Sequence, residues 1–273
     1  IRRILIAVAI LTVCAFGGRE AYQSLTDQSH IDETFYQVES DKLVSRVRAV
    51  FLSDLHLSEF GEDNAELVQL VRDLNPDIIL IGGDMNKRQV DDYSVVLSLC
   101  RQLLEITDTY YALGNHEVSR MLTHNRDIFY DLEATGVTMI HNVFEKVTVG
   151  ENTLYIGGVS QTGADIATYS NGIIEKLAAQ DGFKLLMSHY PSDFDETCKQ
   201  DIDLVLSGHL HGGQVNLPYF DGLFDGDGGL FPKYSEGEFT KNGTTMIVSR
   251  GLGNSHSIPR VNNPPELVIV DMG

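Results

Sequence analysis

The sequence predicts a layered α/β sandwich in which helices cover the outer faces of two packed β-sheets. In the first half, short apolar runs alternate with amphipathic helical segments, and the second half is richer in strand-like runs. That order of elements is typical of layered α/β domains. With 273 residues, 42% of them hydrophobic, the chain can bury one sizeable core, which favours one large domain.

The first half repeats a strand followed by a helix. "RVRAVFLSD", "PDIILIGGD" and "TYYALGNHE" each predict a buried strand that ends in polar residues, and the four consecutive apolar residues at 78–81 suit a strand covered on both faces. "EDNAELVQLVRDLN" and "DDYSVVLSLCRQLLE" predict the helices between them. The residues expected to face the core are Leu67, Val68, Val71 and Leu74 on the first helix, and Val96, Leu97, Cys100, Leu103 and Leu104 on the second.

The second half predicts a hairpin, a helix and further strands. "NVFEKVTVGENTLYIGGVS" predicts a hairpin that turns at 150–152, and "IIEKLAAQDG" predicts a helix. "FKLLMSHYP", "IDLVLSGHLH", "TTMIVSRG" and "ELVIVDMG" predict strands. We therefore expect both sheets to mix parallel and antiparallel strands.

Residues 218–239 are rich in Gly, Asp and aromatic residues and predict a long loop. Its apolar side chains either dip into a membrane surface or cover an acyl chain, or they anchor the loop on the core. These side chains are Phe220, Leu223, Phe224, Leu230 and Phe231.

The N-terminal residues 1–18 predict a signal peptide or a short membrane anchor. Arg2 and Arg3 precede the uncharged run Ile4–Phe16. As a helix this run reaches only about 20 Å, against roughly 30 Å for the hydrocarbon core of a bilayer. Basic residues on the N-terminal flank place the body of the protein outside the cytoplasm. A buried N-terminal helix is the alternative, which the lack of a polar face disfavours.

The remaining chain divides into two parts. Residues 19–45 predict a linker that runs into an edge strand at "TFYQVES", and residues 46–273 predict the folded domain. We expect this domain to lie at the outer face of a bacterial cytoplasmic membrane, or to be secreted if the N-terminal segment is cleaved.

The composition limits the partners and the metal chemistry. The formal net charge of -19 would repel a polyanion, so nucleic acid is not an expected partner. A small phosphate ester stays compatible with this charge, because bound divalent cations dominate the field of a local site. Cys14, Cys100 and Cys198 are too few and too scattered for a disulfide framework or a thiolate zinc cluster.

Polar residues with metal-binding chemistry follow five of the predicted strands. Ligands in α/β folds gather at the carboxyl ends of strands, so these side chains are expected to meet. Oxygen and nitrogen donors without thiolate suit Mn²⁺, Fe or Zn²⁺. Taken singly, each motif is also compatible with a cap, a turn or a structural histidine, but five at consecutive strand ends favour a metal site. The residues are Asp54, His56, Asp84, Asn115, His116, His189, His209 and His211.

The order of these motifs resembles a known family. "SDLHLS", "GGDM", "GNHE", "SHYP" and "SGHLHGGQ" resemble the five motifs of the calcineurin-like metallophosphoesterase superfamily, over about residues 47 to 214. The tail, with "IVSRGLGNS" and "PPELVIVD", resembles the exported, membrane-associated phosphodiesterase-like branch of bacteria, of the YkuE or YaeI type. The resemblance implies the metallo-dependent phosphatase fold, a four-layer α-β-β-α sandwich with two mixed β-sheets.

The resemblance also implies roles for individual residues. One metal ion would be held by Asp54, His56, Asp84 and His211, and the other by Asp84, Asn115, His189 and His209. Asp84 would bridge the two ions. His116 resembles the catalytic histidine of the family, which protonates or hydrogen-bonds the leaving oxygen. The resemblance further implies two divalent ions that share a water and direct the resulting hydroxide at phosphorus.

Two nearby charged residues have open roles at this stage. Glu117 either orients His116 or a ligand imidazole, or it is a solvated carboxylate in a turn. Arg250 is expected to form a structural ion pair rather than to contact a phosphate.

The sequence therefore predicts a metal-dependent phosphoesterase that cleaves a phosphodiester or a pyrophosphate of a membrane lipid, a lipid-linked compound or an envelope polymer. One alternative is a nuclease or cyclic-nucleotide phosphodiesterase. The other is a non-catalytic interaction module in which the metals only hold loops together.

Overall fold

The computed structural model describes residues 18, 26–124, 128–160, 170, 172–216, 222–224, 229–254 and 258–273. The strands within these ranges are β1 (Asp32–Val38), β2 (Val47–Leu52), β3 (Ile78–Ile81), β4 (Thr109–Tyr111), β5 (Thr138–Met139), β6 (Val143–Val149), β7 (Asn152–Val159), β8 (Phe183–Ser188), β9 (Leu204–Ser207), β10 (Gly237–Lys241), β11 (Thr244–Val248) and β12 (Glu266–Met272). The helices are α1 (Ala65–Asp73), α2 (Ser94–Leu104), α3 (Asn115–His124), α4 (Ile128–Glu133), α5 (Ile173–Ala178) and α6 (Phe194–Thr197).

The strands form two mixed sheets, as predicted. Within the described ranges, the first sheet has the order β1-β12-β2-β3-β4-β5 and the second has the order β10-β11-β9-β8-β7-β6. The run β2, β3, β4 is parallel in the first sheet, and the run β7, β8, β9 is parallel in the second. Parallel runs place the carboxyl ends of successive strands at one edge, which is where the polar motifs begin.

Alternate residues of the strands separate the core into three layers. On β3, Ile79 and Ile81 pack against the helices α1, α2 and α4, whereas Ile78 and Leu80 pack against the second sheet. The second sheet contributes the inner layer through residues such as Leu185, and its outer face packs on α5 and α6. The result is the expected α-β-β-α sandwich, because each sheet has to bury both of its faces.

The predicted core positions of the helices are confirmed with one correction. On α1, Leu67, Val68 and Val71 are buried, as predicted. On α2, the buried set includes Leu99, which the prediction omitted, while Leu97 and Leu104 are only partly buried. The buried face of α2 is therefore rotated slightly from the predicted one, and it is centred on Val96, Leu99, Cys100 and Leu103.

The segment predicted as a loop at 218–239 ends in a strand. Residues from Gly237 onward form β10, which pairs with β11 as a hairpin. Phe220 lies outside the described residues. Leu223 and Phe224 are partly buried, whereas Leu230 and Phe231 are exposed.

The predicted signal or anchor segment at 1–18 lies outside the described residues except for residue 18, and so do residues 19–25 of the predicted linker. Among the described residues, no helix is both long enough and apolar enough to cross a membrane. The edge strand predicted at "TFYQVES" is present as β1, which pairs in parallel with β12.

Arg48 and Asp271 join β2 to β12 by a bidentate ion pair. The Nε and Nη2 atoms of Arg48 donate to the two carboxylate oxygens of Asp271, both at 2.8 Å, and its Nη1 donates to the carbonyl oxygen of Leu74 at 3.1 Å. The Arg48 guanidinium holds the pKa of Asp271 below its ordinary value. Because both side chains are largely shielded from solvent, the pair stabilises the sheet more than an exposed pair would.

We expect Asp271→Asn to lower the free energy of unfolding by about 1–3 kcal/mol at neutral pH, because it removes a charged acceptor from the partly buried Arg48. The pKa of Asp271 is lowered in the folded state. Its stabilising effect is therefore fully present above the ordinary carboxyl pKa, and it is lost as the pH falls through the lowered pKa of the folded protein. Denaturant unfolding of both proteins at several pH values measures this. Glu133→Gln, an equal charge change at an exposed position, should have little effect, and an equal loss in both variants would contradict the prediction.

Candidate metal centre

The fold brings the polar motifs of five strands to one edge. Asp54 and His56 follow β2, Asp84 follows β3, and Asn115 and His116 follow β4 in the first sheet. The second sheet contributes His189 after β8, and His209 and His211 after β9. The eight predicted site residues therefore lie together, although up to 157 positions separate them in the sequence (54 to 211). Their roles as ligands or catalysts stay predictions.

One group of donors consists of Asp54, His56 and His211. The Nε2 atoms of the two histidines face each other at 3.2 Å, and each lies 3.8 Å from Oδ1 of Asp54. All three side chains are buried. Burial lowers the pKa of His56 to about 4, so its ring is neutral at pH 7, the form in which imidazole binds metal.

A second group consists of Asp84, Asn115, His189 and His209. The His189 Nε2 atom is 3.3 Å from Oδ2 of Asp84. One atom of the Asn115 amide lies 3.1 Å from Nδ1 of His209, 3.1 Å from Oδ2 of Asp84 and 3.2 Å from Nε2 of His189. Asp84 also groups with His56, so it lies between the two groups as a bridging ligand would.

The Asn115 amide has two orientations with opposite chemistry. With its nitrogen inward, its two N–H groups lie within reach of these three atoms, and its oxygen accepts from Nη2 of Arg88 at 2.8 Å. With its oxygen inward, it completes a set of four electron-pair donors that point at one another. Only the second orientation suits a cation, because a cation is bound by the oxygen of an amide and repelled by its nitrogen.

The separations between these donors fit a pair of divalent ions. Two atoms that each lie about 2.1 Å from the same ion, at an angle of roughly 90–110°, are about 3.0–3.4 Å apart. The His56–His211 distance of 3.2 Å and the His189–Asp84 distance of 3.3 Å both fall in this range. The 3.8 Å from Asp54 to either histidine would correspond to a wider angle of about 130°. The donors are nitrogen and oxygen atoms only, as expected for Mn²⁺, Zn²⁺ or Fe.

The backbone at the site is held in an unfavourable conformation. Asp54, His56, Asp84, His209 and His211 all have positive φ, between 46° and 72°. For residues other than glycine, this conformation costs on the order of 1–3 kcal/mol each and concentrates at functional sites. Short turns after the strands impose it, and they direct all five side chains towards the same space.

Two glycines allow the turns to approach each other. A Cβ at Gly208 would lie 2.2 Å from Oδ2 of Asp54, and a Cβ at Gly114 would lie 2.2 Å from Oδ1 of Asp84. Both contacts are too short for any side chain. These glycines of the motifs "SGHLH" and "GNHE" are therefore required for packing against the two acids.

Glu117 is a fully buried carboxylate that holds two of the motifs together. It accepts hydrogen bonds from the backbone N–H groups of Asp84 at 2.9 Å, Met85 at 2.8 Å and Gly114 at 3.0 Å. Burial and the Asp84 carboxylate raise the pKa of Glu117, and the backbone N–H groups oppose this shift. It is therefore not a solvated turn carboxylate, and it contacts the backbone of the site rather than an imidazole.

His116 lies at the open side of the site. Its Nδ1 atom is 3.1 Å from the carbonyl oxygen of Asn86, so Nδ1 carries a proton and donates it. Its Nε2 atom is 3.6 Å from Oδ2 of Asp84. The ring is only partly buried, unlike those of the other site histidines.

The sequence did not indicate the role of Arg260, which supports the site from the C-terminal segment. Its buried guanidinium donates to the carbonyl oxygens of Arg250, Gly251 and Gly253, and its Nη2 atom lies 3.1 Å from Nδ1 of His211. Gly253 in turn donates its N–H to the carbonyl oxygen of Asp54 at 2.7 Å. Nothing in "IPRVNNPPEL" indicates this, because the contacts depend on how the segment folds back on residues 250–253 and on His211.

Arg250 forms structural ion pairs, as predicted. Its guanidinium contacts Asp32 at 3.0 Å, Glu266 at 3.5 Å and Glu236 at 3.6 Å. These contacts tie the segment after β11 to both β1 and β12.

The charges of the site favour a cation. Although burial opposes the shift, the carboxylates of Asp84 and Asp54 raise the pKa of His189 to about 10. His189 likewise holds the pKa of Asp84 well below its usual range, against the opposing effect of burial. The Nδ1 atom of His189 is 2.9 Å from the carbonyl oxygen of Gly82, an interaction that directs Nε2 towards the acids.

The chain belongs to the calcineurin-like phosphoesterase family, whose sequence pattern matches residues 47–213. It is therefore a metal-dependent phosphoester hydrolase. The predicted family is confirmed.

Individual relatives match more of the chain. The uncharacterized metallophosphoesterase YkuE of Bacillus subtilis is 25% identical over 262 residues, which cover 93% of this chain and 89% of YkuE. An uncharacterized metallophosphoesterase of Aquifex aeolicus is 29% identical over 261 residues, covering 89% of this chain and 94% of that protein. A transmembrane protein with a metallophosphoesterase domain from Danio rerio is 30% identical over 65% of this chain, but the match spans only 45% of that protein.

A solved structure supports the fold. The sulfate thiohydrolase SoxB of Thermus thermophilus has a TM-score of 0.51 to this chain at 13% sequence identity, over 83% of this chain and 56% of SoxB. At this identity the similarity concerns the fold alone.

We expect Glu117→Gln to lower the free energy of unfolding by about 1–3 kcal/mol, because an amide offers one oxygen where the carboxylate offers two to the backbone N–H groups. We also expect metal affinity to fall by roughly 10–100-fold, since Asp84 would no longer be held in place. Thermal unfolding and metal titration measure the two effects. The exposed Glu105→Gln variant is the control, and unchanged metal affinity in Glu117→Gln would contradict the role given to Glu117.

We expect metal affinity to increase with pH. The pKa of His189 is raised to about 10, so a proton occupies this ring below that pH and has to leave when the ring binds an ion. For each proton released on binding, the apparent Kd of the metal falls by about tenfold with each unit of increase in pH. Calorimetric titration in two buffers of different ionisation enthalpy measures the number released. Release should be the same in His30→Gln, whose side chain is exposed, and metal binding without proton release would contradict the prediction.

Proposed function

We propose that this protein hydrolyses a phosphodiester or pyrophosphate bond with two divalent ions. The observation that carries the proposal is the arrangement of two buried donor groups, linked by Asp84, that contain donor atoms at separations suited to metal coordination. One ion would be held by Asp54, His56, Asp84 and His211, and the other by Asp84, Asn115, His189 and His209. Residues 46–273 would form the catalytic domain.

When bound, two divalent ions supply a nucleophile at neutral pH and neutralise charge on the phosphate. The protein contributes the geometry of the reaction. The hydrogen bond from His116 to the Asn86 carbonyl fixes the ring, so that Nε2 faces Oδ2 of Asp84 at 3.6 Å, beside the proposed ions. From there Nε2 protonates or hydrogen-bonds the leaving oxygen, the role we propose for His116.

A cavity beside the centre supports a diester or pyrophosphate over a small monoester. It has a volume of about 250 Å³ and is lined by His209 together with residues that include Tyr190, Leu210, Pro232 and Tyr234. The ring of Tyr190 lies against the ring of His209, with the centroids 4.2 Å apart. A substrate whose phosphate is at the metals can therefore place its second substituent against these aromatic and apolar side chains.

Exposed apolar residues near the cavity support a lipid or lipid-linked substrate. Leu230 is 61% exposed and Phe231 is 57% exposed, and they directly precede Pro232 in the cavity wall. Exposed apolar side chains at the mouth of a cavity suit contact with a membrane surface or an acyl chain. We propose that the N-terminal segment holds the protein at the outer face of a bacterial cytoplasmic membrane, where such substrates occur.

The proposal is tested first with His116→Ala in the protein loaded with Mn²⁺ or Zn²⁺. We expect the rate of hydrolysis of a simple diester to an alcohol and a monoester to fall by about 10²–10⁴-fold with both metals retained, because general acid catalysis is lost while the ligands remain. Turnover assays and metal analysis measure this. Asp84→Asn should lose metal, and the exposed His30→Ala should retain full activity.

The outcomes distinguish the other functions. An unchanged rate in His116→Ala would remove this residue from the mechanism. Two bound metals without turnover of a diester, a monoester, a lipid-linked nucleotide diphosphate or a phospholipid would favour the interaction module. Turnover of nucleic acid with a steep salt dependence would favour the nuclease.

We expect the double change Leu230→Ser and Phe231→Ser to reduce turnover of a phospholipid in vesicles by at least about tenfold, since two apolar side chains no longer enter the bilayer. Turnover of a soluble diester should be unchanged. The matched control is Leu122→Ser with Tyr130→Ser, two exposed residues on α3 and α4. Equal loss on both substrates would contradict contact with the membrane by these two residues.

A further inference from the structure

The cavity beside the metal centre has flat apolar walls close to the ligands. Tyr190, Pro191, Pro232 and Tyr234 contribute aromatic and pyrrolidine rings to its lining. The Tyr190 ring also lies against the ring of His209, so this wall adjoins the second group of donors. A group attached to a phosphate at the metals would therefore meet ring surfaces as soon as it enters the cavity.

The same cavity has a polar end, which consists of Ser192, Asp195 and Lys233. Ser192 is exposed, and its hydroxyl forms no hydrogen bond with any residue that the structure describes. The Nζ atom of Lys233 lies 3.0 and 2.9 Å from the two carboxylate oxygens of Asp195, and both side chains are accessible to solvent. This end therefore offers a hydroxyl, a carboxylate and an ammonium group to a ligand.

Asp195 fixes the polar end and keeps a free position for a further hydrogen bond. Its Oδ1 atom accepts from Oη of Tyr234 at 2.9 Å and from Nζ of Lys241 at 2.8 Å. Among the described residues, Oδ2 accepts from Lys233 alone, and a carboxylate oxygen can accept two hydrogen bonds. An acceptor and a charged donor thus lie side by side, facing solvent.

Flat apolar walls next to paired donors and acceptors suit a sugar ring. The C–H groups of a sugar can lie on the negative face of an aromatic ring. Each sugar hydroxyl donates one hydrogen bond and also accepts, which matches the carboxylate of Asp195 beside the ammonium of Lys233. An acyl chain has no such groups, so it would desolvate the charged end without compensation.

The size of the cavity also favours one ring over a chain. Its volume of about 250 Å³ lies below the roughly 300–1,000 Å³ of sites that enclose drug-sized ligands. A lipid part of the substrate therefore has to lie outside, where Leu230 and Phe231 are exposed.

We propose that this cavity binds a sugar attached to the phosphate, so that the substrate is a phosphodiester or pyrophosphate of a sugar. Ser192, Asp195 and Lys233 bind its hydroxyl groups, and the ring walls contact its faces. This inference rests on the proposed phosphoesterase function and names the group on one side of the cleaved bond. A lipid-linked sugar, an envelope polymer and a nucleotide sugar share this chemistry.

The test measures the affinity of the metal-loaded protein for matched phosphate monoesters by calorimetry. The panel contains hexose and N-acetylhexosamine 1-phosphates, cyclohexyl phosphate, hexyl phosphate and phenyl phosphate, which attach a sugar, a bare ring, a chain and an aromatic ring to the same phosphate. We expect at least one sugar phosphate to bind about tenfold or more tightly than the other three classes, because only a sugar supplies hydroxyl groups to the polar end.

Lys233→Met should abolish most of this preference and leave the affinity for hexyl phosphate and the metal content unchanged. Asp195 keeps its bonds to Tyr234 and Lys241, so the wall stays in place. Lys233→Arg should recover part of the preference, because it keeps the charged donors. The control is Lys176→Met, an equal charge change at an exposed position on α5. An equal loss of affinity for sugar and hexyl phosphates would overturn the role given to Lys233.

Ser192→Phe tests the cavity without a change of charge. The larger side chain at this exposed position should fill the polar end, so sugar phosphates should bind at least about tenfold more weakly while inorganic phosphate binds as before. Unchanged binding of sugar phosphates in this variant would place the sugar outside the cavity and contradict the inference.

Turnover of a lipid-linked sugar pyrophosphate, a nucleotide sugar and a sugar-containing envelope polymer then distinguishes the sources. Equal affinity for sugar and cyclohexyl phosphates, or tighter binding of hexyl or phenyl phosphate, would overturn this inference alone. Absence of turnover in the wild-type protein with both metals bound would overturn the proposed function instead. The binding measurements need no turnover, so the two failures are distinguishable.

Discussion

The mutual repulsion of buried electron-pair donors is the constraint around which this structure is arranged. Two carboxylates, an amide and four imidazoles converge at one edge of the sandwich, with donor atoms 3.1–3.8 Å apart. In a low-dielectric interior such a set is unfavourable unless positive charge lies between its members. The fold therefore has to force these groups together and hold them until a cation, or a proton on His189, compensates.

The structure holds them through groups that never need to touch an ion. Glu117 binds the backbone of the turns that carry Asp84 and Asn115. Arg260 and the segment after β11 hold the backbone next to Asp54 from the other side. Both are buried charges, and both act on backbone groups, so a substitution at either would disturb several ligands at once.

Under the proposed function, two features beside the centre suit different parts of a substrate. His116 would face the leaving oxygen, and the cavity beside His209 would accommodate a substituent of the phosphate. The exposed apolar residues Leu230 and Phe231 directly precede Pro232, which lines this cavity. This arrangement is consistent with a substrate that has both an anionic and an apolar part.

The sequence by itself determined the strand and helix pattern and which polar residues follow the strands at the candidate site. The reason is that both depend on local signals: apolar periodicity of two or about four, and polar residues directly after apolar runs. It also placed Leu67 and Val71 in the core and predicted the hairpin at 150–152. The prediction was wrong at two places where the local signal is ambiguous. It left Leu99 out of the buried face of α2, because several neighbouring apolar residues on this helix fit more than one face. It also extended the loop to residue 239, because a strand that begins in a Gly-rich segment has no clear local start.

Only the tertiary structure decided the roles of Glu117 and Arg260. Each of these residues acts through groups that the sheets bring together from distant parts of the chain, and Glu117 could not be told from a solvated carboxylate without its burial. The positive φ angles of Asp54, His56, Asp84, His209 and His211 likewise depend on turns packed against one another. A local sequence pattern indicates which residues can bind a metal, but only packing across the two sheets determines what holds them in place.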